Sequence, residues 1–577
     1  MLRAAIGIGV LACGLGTAGG QERAFVEVAQ ARGLEVGPAK HLLLIDLDGD
    51  DWLDAVVQHR RVYRNVQGPD GQRVFRAVEE PGLASEAKPG VLLLADLDQD
   101  GRRDALLAYT QDPTDPKWKD PGVRSHLRLG RRGLSFAPAG EPILPPEAVI
   151  TGTLVDVDRD GWLDLLVGSS YRAVGGPLEA YPLRLLRGGP GASFRDATEG
   201  LGLSLAVEPA RVNSRRPVFG TAAGDLDGDG WPDLFVCAYG RQRNQLFRNL
   251  GGERFEDVGL RTGFAGDADT SGVYPEATKE MWRKRFNQER EDEAPFRSNG
   301  NTFTVALADF DNDGDQDAFL GEVTHSWAGP SSDRSGLLRN AGAPGFELER
   351  SVTYGERDHS DPNWNEGDLY ATWLDYDNDG WQDLLLASGD YPTPKQYLRL
   401  YRQHAPGKFR EVTETAGFGG WHNCGAVSVG DYDRDGDVDV LVGTTTFRMS
   451  KAAREGHVVR PALFENRVGS RNRWLNVRLQ GAGAAAGGAN PDAIGAKVVV
   501  VAGGITQTRW LHMGHGLQGR SDALEAAFGL GQADRVERLE VHWPNRAGTV
   551  SVFEDLRPNR FLRIEERGER LVELGPF

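Results

Sequence analysis

The sequence predicts an all-β protein: a seven-bladed β-propeller followed by a small, sandwich-like all-β domain. Three observations carry this. An acidic nine-residue loop recurs seven times, short apolar runs flank every copy, and the 577-residue chain holds 75 Gly and only 4 Met without long stretches of helical periodicity. A chain this long exceeds one ordinary core, and a repeat array resolves that excess.

Taken in order, the chain begins Met1-Leu2-Arg3, runs apolar from Ala4 to Leu15, and passes through small residues at Thr17-Ala18-Gly19-Gly20. A basic start, a short apolar stretch and small residues at the cut define a signal peptide over 1–20. Export follows, to a secreted, periplasmic or cell-surface location. Cys13 sits in Val10-Leu11-Ala12-Cys13, which also resembles a lipoprotein cleavage box, so a lipid anchor is the alternative to free secretion. No later stretch reads as a membrane span. Cys237 and Cys424, in different repeats, read as buried free thiols.

The repeat occupies 21–469. Its unit is an apolar run, then Asp-x-Asp-x-Asp-Gly-x-x-Asp, then another apolar run. The copies use Asp46, Asp48, Asp50 and Asp54; Asp96, Asp98, Asp100 and Asp104; Asp156, Asp158, Asp160 and Asp164; and Asp225, Asp227, Asp229 and Asp233. They continue with Asp309, Asp311, Asp313 and Asp317; Asp375, Asp377, Asp379 and Asp383; and Asp431, Asp433, Asp435 and Asp439. Carboxylates at positions 1, 3 and 5 converge when the backbone curls, and Gly at position 6 supplies the positive φ of the sharp turn. A carbonyl at position 7 and the carboxylate at position 9 would complete an all-oxygen shell suited to Ca2+, and less well to Mg2+. About seven such sites are expected. Seven divalent ions would move the formal charge from -18 to -4, relieving the crowding of like charges. The flanking runs are strand-like and no Glu follows at position 12, so these are hairpin loops and not EF-hands. In the first copy Asp51 stands where the others have Gly.

A second signature follows each loop: Val62-Tyr63-Arg64-Asn65, Leu127-Arg128-Leu129-Gly130, Leu185-Leu186-Arg187-Gly188, Leu246-Phe247-Arg248-Asn249, Leu337-Leu338-Arg339-Asn340, Leu400-Tyr401-Arg402-Gln403 and Leu463-Phe464-Glu465-Asn466. Two strands around the Asp loop and two around the turn after this signature make a four-stranded blade. Trp52, Trp162, Trp231 and Trp381 at position 7 read as packing between blades. The longest interval between loops carries the charged segment 279–293, with Trp282 and Phe286 interleaved, a candidate partner-contact insertion. The segment from Arg357 to Trp364, with His359 and Asp361, is a second insertion of this kind.

The remaining 470–577 reads as β structure. Together, the Asp loops and the Leu-Phe-Arg-Asn segments resemble FG-GAP or VCBS repeats of integrin-type propellers. Trp474-Leu475-Asn476-Val477, Ile494-Gly495-Ala496-Lys497-Val498, Phe528-Gly529-Leu530-Gly531 and Val541-His542-Trp543-Pro544 resemble the ASPIC/UnbV domain. This order of modules is similar to the cartilage acidic protein family and its bacterial relatives. The resemblance implies calcium sites at blade hairpins and a role in adhesion or binding of an extracellular protein or glycan. A monomer is expected.

The acidic balance excludes a nucleic-acid partner, which demands a basic footprint. His-Glu-x-x-His, Gly-x-Ser-x-Gly and Cys-x-x-Cys do not occur, so no catalytic residue is assigned and an enzyme is not expected. The alternative is a propeller hydrolase or lyase acting on an extracellular substrate, for which His325, His359, His422, His512 and His515 would have to converge with a carboxylate. Gly514-His515-Gly516-Leu517-Gln518-Gly519 fits a dinucleotide fingerprint but lacks its βαβ setting, and reads as a turn before a strand of the tail.

Overall fold

The computed structural model describes residues 23–575 apart from 36, 38, 40, 84–89, 110–123, 172–179, 205–215, 270, 293–299, 326–331, 343–347, 352–364, 390–395, 421–423 and 445–458. The signal peptide, Cys13 and the 357–364 insertion lie outside the described residues.

Seven antiparallel four-stranded units succeed one another along the chain, spanning 42–77, 91–139, 149–196, 218–257, 302–351, 365–411 and 424–466. First strands buried on both faces recur, as in Leu42–Ile45, Val91–Ala95 and Cys424–Gly430. Such all-buried strands belong at the axis of a propeller, where neighbouring blades cover both sides. The seventh unit contributes only three of its own strands. Its fourth is Phe25–Glu27 from the other end of the chain, paired with Pro461–Asn466 so that Phe25 lies opposite Asn466. Between blades the apolar faces merge: Leu44, Leu53 and Val57 of the first blade share a cluster with Leu441 and Leu463 of the seventh.

The tail consists of two four-stranded sheets. One orders Ala526–Gly531, Arg473–Gln480, Arg560–Glu565 and Arg570–Leu574; the other orders Ile505–Trp510, Lys497–Ala502, Val536–His542 and Val550–Leu556. Alternating burial along Lys497–Ala502 sends Val498, Val500 and Ala502 inward, where they join Val477, Phe528 and Leu539 in one core.

This tail sits on the propeller face that carries the Asp loops, and part of it enters the ring. Between Trp510 and Ala526 the chain passes along the axis: Leu154 N–H donates to the Met513 carbonyl at 2.9 Å, Gly516 and Leu517 pair with Thr221 and Gly220, and Ala523 N–H donates to the Val429 carbonyl at 3.0 Å. The glycine-spaced segment is therefore more than a turn before a strand, because it plugs the propeller axis. Gly514, Gly516 and Gly519 all have positive φ (82°, 60° and 59°), and a Cβ at any of them would press into Gly152 or Thr304. Glycine spacing serves backbone approach here, with no phosphate involved in the packing that explains it. Below the tip, Arg520 forms a forked pair with Asp522 at 2.6 and 2.8 Å, and Asp522 also accepts from the Thr372 hydroxyl at 2.8 Å.

The longest inter-loop interval contains helix Glu276–Phe286, with the Trp282 ring tilted against Phe286 at 4.4 Å and Phe286 45 % exposed. Cys237 and Cys424 are buried free thiols.

Candidate metal centres

Each Asp loop is the hairpin between a blade's first and second strands, and its backbone geometry explains its spacing. Position 6 is left-handed in all seven loops, with φ of 87° to 96° at Gly101, Gly161, Gly230, Gly314, Gly380 and Gly436 and 68° at Asp51. The N–H of that residue donates to Oδ2 of the position-1 Asp, from 2.8 Å at Gly161 to 3.1 Å at Gly314. Asp51 does the same to Asp46 at 2.9 Å, so the substitution preserves the turn. Position 4 is left-handed as well, at Gly49, Gln99, Arg159, Gly228, Asn312, Asn378 and Arg434. Glycine or asparagine at four of those places was the available signal, and the reading of position 6 alone passed over it.

The four carboxylates of a loop divide their work. Position 9 ties strands together: its Oδ1 accepts the N–H of the last residue of the second signature, as in Asp233 with Asn249 at 2.8 Å, and its Oδ2 accepts from position 2, as in Asp233 with Leu226 at 3.1 Å. Position 5 accepts from the N–H of position 7, as in Asp229 with Trp231 at 2.9 Å. Position 3 holds the arginine of the second signature on its outer oxygen: Arg64 with Asp48 at 2.6 Å, Arg339 with Asp311 at 2.6 Å and Arg402 with Asp377 at 2.7 Å, with Arg187 on Asp158 and Arg248 on Asp227 likewise.

At Asp98 and Asp227 the other oxygen of position 3 accepts the position-5 N–H at 3.2 Å; in most other loops it finds nothing. Oδ1 of Asp48, Asp158, Asp311, Asp377 and Asp433 is buried without a hydrogen-bond partner, and so is Oδ1 of the position-1 residues Asp225 and Asp431. A buried carboxylate oxygen left unpaired is costly, and these seven, five at position 3 and two at position 1, are places a cation could satisfy. Three carboxylates of a loop bring oxygens within 4.8 Å of one another: Asp46, Asp48 and Asp50; Asp96, Asp98 and Asp104; Asp156, Asp158 and Asp164; Asp225, Asp227 and Asp229; Asp309, Asp311 and Asp317. Several Asp clusters could therefore hold a metal ion, and the all-oxygen donor set fits a hard divalent cation.

Electrostatics agree. Burial first, and neighbouring carboxylates with it, raise Asp54 to about 8, Asp96, Asp156 and Asp309 to about 7, Asp225 to about 6 and Asp317 to about 9. Asp164, Asp233, Asp375, Asp383, Asp431 and Asp439 are pushed up for the same reason. In the seventh loop Asp437 adds a carboxylate at position 7, as Asp315 does in the fifth, and Glu465 replaces the arginine of the signature; burial first, then Asp435 and Glu465, raise Asp433 to about 7.

Two features beyond the carboxylates hold neighbouring blades together. The amide ending the second signature spans blades: Asn466 Nδ2 donates to the Tyr376 carbonyl of the sixth blade at 2.7 Å and to Val438 of its own at 3.3 Å. Asn65, Asn249, Asn340 and Gln403 repeat this bridge, reaching Tyr432, Val157, Leu226 and Phe310. Position-4 arginines stack on position-7 tryptophans of the next blade, Arg159 over Trp231 at 4.9 Å and Arg434 over Trp52 at 3.9 Å.

Of the histidines, His512 and His515 lie on the axial plug, their basicity lowered by burial, to about 4 at His512. His359, His422 and the His325 side chain lie outside the described residues.

Seven blades, each with an acidic hairpin, closed by a strand from the far end and capped by a β tail define a repeat-built β-propeller. Comparison with known proteins makes this particular: the FG-GAP-like repeat model matches 225–276 and 375–442, and the ASPIC and UnbV model matches 486–571. The repeat matches fall in the fourth, sixth and seventh blades and the ASPIC and UnbV match in the tail. Integrin alpha-IIb of Homo sapiens is 30% identical over 177 residues, covering 27% of this chain; the chain spans only 15% of that relative. Among solved structures, a Lactobacillus plantarum protein is similar at TM-score 0.38 and 10% identity, covering 74% of this chain and 98% of that one. The exotype rhamnogalacturonan lyase YesX is similar at 0.30 and 11%, covering 72% and 80%, and the Vibrio cholerae biofilm matrix protein Bap1 at 0.29 and 10%, covering 94% and 61%. These likenesses are too loose to bear on function. Among the described residues no helix is long and apolar enough to cross a membrane.

Proposed function

We propose that the protein is an exported calcium-binding propeller that binds an extracellular protein or glycan, with its calcium ions acting structurally. The observation that carries this is the set of buried, unpaired carboxylate oxygens at matching places in the Asp loops, which a cation would satisfy and which nothing else in the fold explains. Calcium would be held by positions 1, 3 and 5, with position 9 beneath them, and would supply positive charge that fixes each hairpin. Water activation is not the role supported, because the carboxylates also accept loop N–H groups and serve the turn itself. The segment from Met513 to Ala523 runs along the axis. Elemental analysis of the folded chain, after exchange into metal-free buffer without strong chelator, is the test. About seven calcium ions per chain are expected; a folded chain retaining none would overturn the reading.

A further inference from the structure

The tail covers the Asp-loop face unevenly. Six loops take a polar contact from it: Arg478 on Asp46, the Asp492 carboxylate on the N–H of Asp96, Arg546 on the Asp158 carbonyl, Lys497 on the Gly314 carbonyl, Asn472 on the Asp377 carbonyl and Asn476 on Asp431. Among the described residues, the loop of the fourth blade, 225–233, receives no hydrogen bond or ion pair from the tail. Between the two lies instead a cleft of about 360 Å3, at the small end of the range for small-molecule sites.

The walls of this cleft differ in chemistry. On the propeller side stand Asp225 and Asp229, whose loop includes the unpaired buried Oδ1 of Asp225, together with Arg159. On the tail side stand Lys497, Trp510 and His542, with the Lys497 ammonium 5.4 Å from the Trp510 ring centre. Without a cation, the loop's carboxylates repel an anion. With one, Arg159, Lys497 and the divalent ion outweigh Asp156, Asp225 and Asp229, and the cleft accepts negative charge. A cation held in a loop that the tail leaves uncovered keeps positions for outside oxygen donors, since calcium takes six to eight. The flat face of Trp510 offers the complementary apolar surface.

We propose that this cleft is a calcium-dependent site for a uronate, the terminal acidic sugar of a glycan. Its carboxylate would meet the fourth-blade cation and the positive side chains, and its ring would lie along Trp510. A neutral sugar would bring the bound cation no charge, and a folded protein partner would need a broader opening. The inference rests on the calcium reading and narrows the ligand class within it.

The test is calorimetric titration of the calcium-loaded full chain with D-glucuronate, D-glucose and acetate, with calcium counted on the same sample. Saturable binding of glucuronate alone is expected. Lys497→Met should weaken it about tenfold or more while the calcium count holds, and Asp229→Asn should lose one calcium and the glucuronate heat together. No saturable heat from glucuronate on a chain that holds its calcium overturns the proposal, as does equal binding of glucose or acetate, and in those cases the metal reading stands. A folded chain without calcium overturns the metal reading itself.

Discussion

Replacing Asn466 by alanine leaves the Tyr376 and Val438 carbonyls facing a gap between the sixth and seventh blades, since Asn466 Nδ2 serves both. The expected cost is about 1–3 kcal/mol, and calorimetry should show it equally in calcium and in chelator, because the bridge involves no ion. Asp225→Ala should behave differently: its stability falls more in calcium than in chelator, where only the bond from the Gly230 N–H is lost, and equal losses in both would contradict a ligand role. The raised carboxylates give a pH dependence with a definite sign. A group whose folded pKa lies above its unfolded value stabilises the fold at low pH and loses that contribution as pH rises through the folded value. In chelator, melting temperature should therefore fall between about pH 4, the ordinary Asp range, and the values near 8 and 9 at Asp54 and Asp317. Added calcium should flatten or reverse that slope, and a flat profile in chelator would argue against buried, cation-free carboxylates. At this scale the sequence was informative about what recurs. All twenty-eight loop aspartates fall in the hairpins where their spacing put them. The asparagine bridges recur too, but their partners lie on the preceding blade, and a residue type alone does not reveal whose carbonyl it will reach.

Among the elements, the axial plug was least legible. Gly514, Gly516 and Gly519 announce unusual backbone, yet the reason lies in Gly152 and Thr304, hundreds of positions away in another domain. Local pattern shows that glycine is needed and not what it must approach. Gly514→Ala places a side chain against the Gly152 carbonyl at a φ of 82°, so the plug should withdraw. A destabilisation of about 2 kcal/mol or more and new proteolytic cleavage between 511 and 523 are expected; an unchanged melting temperature and digestion pattern would show that the segment tolerates displacement. The Asp hairpins, by contrast, were legible as elements because most of what shapes their turns is local: left-handed positions 4 and 6, and carboxylates that accept N–H groups within the same nine residues.

For the molecule as a whole, blade count and chain order followed from counting loops, since each blade is one supersecondary unit and seven copies imply seven blades. The docking of the tail onto the acidic face did not follow, because it depends on surfaces built from distant strands. That docking has energetic weight: Arg478 is buried against Asp46 and Glu525, and Arg563 pairs with Asp51 at 2.6 Å. Removing either arginine should leave acidic groups buried without charge partners and lower stability by about 2–4 kcal/mol, measurable as a fall in melting temperature of Arg478→Ala larger than that of the exposed control Arg535→Ala.

The strand Phe25–Glu27 has a consequence in time. It is the first part of the ring to leave the ribosome, yet its partner Pro461–Asn466 is the last strand of the ring to be made, and the axial segment emerges later still. The opening strand must wait, exposed, while nearly the whole chain is synthesised, and the circle can join only afterwards. Maturation of this protein is accordingly a late, concerted event whose pace is set by its longest-range pairing. A nascent chain stalled before residue 461 would be an open arc with two sticky ends, open to joining with a neighbour's.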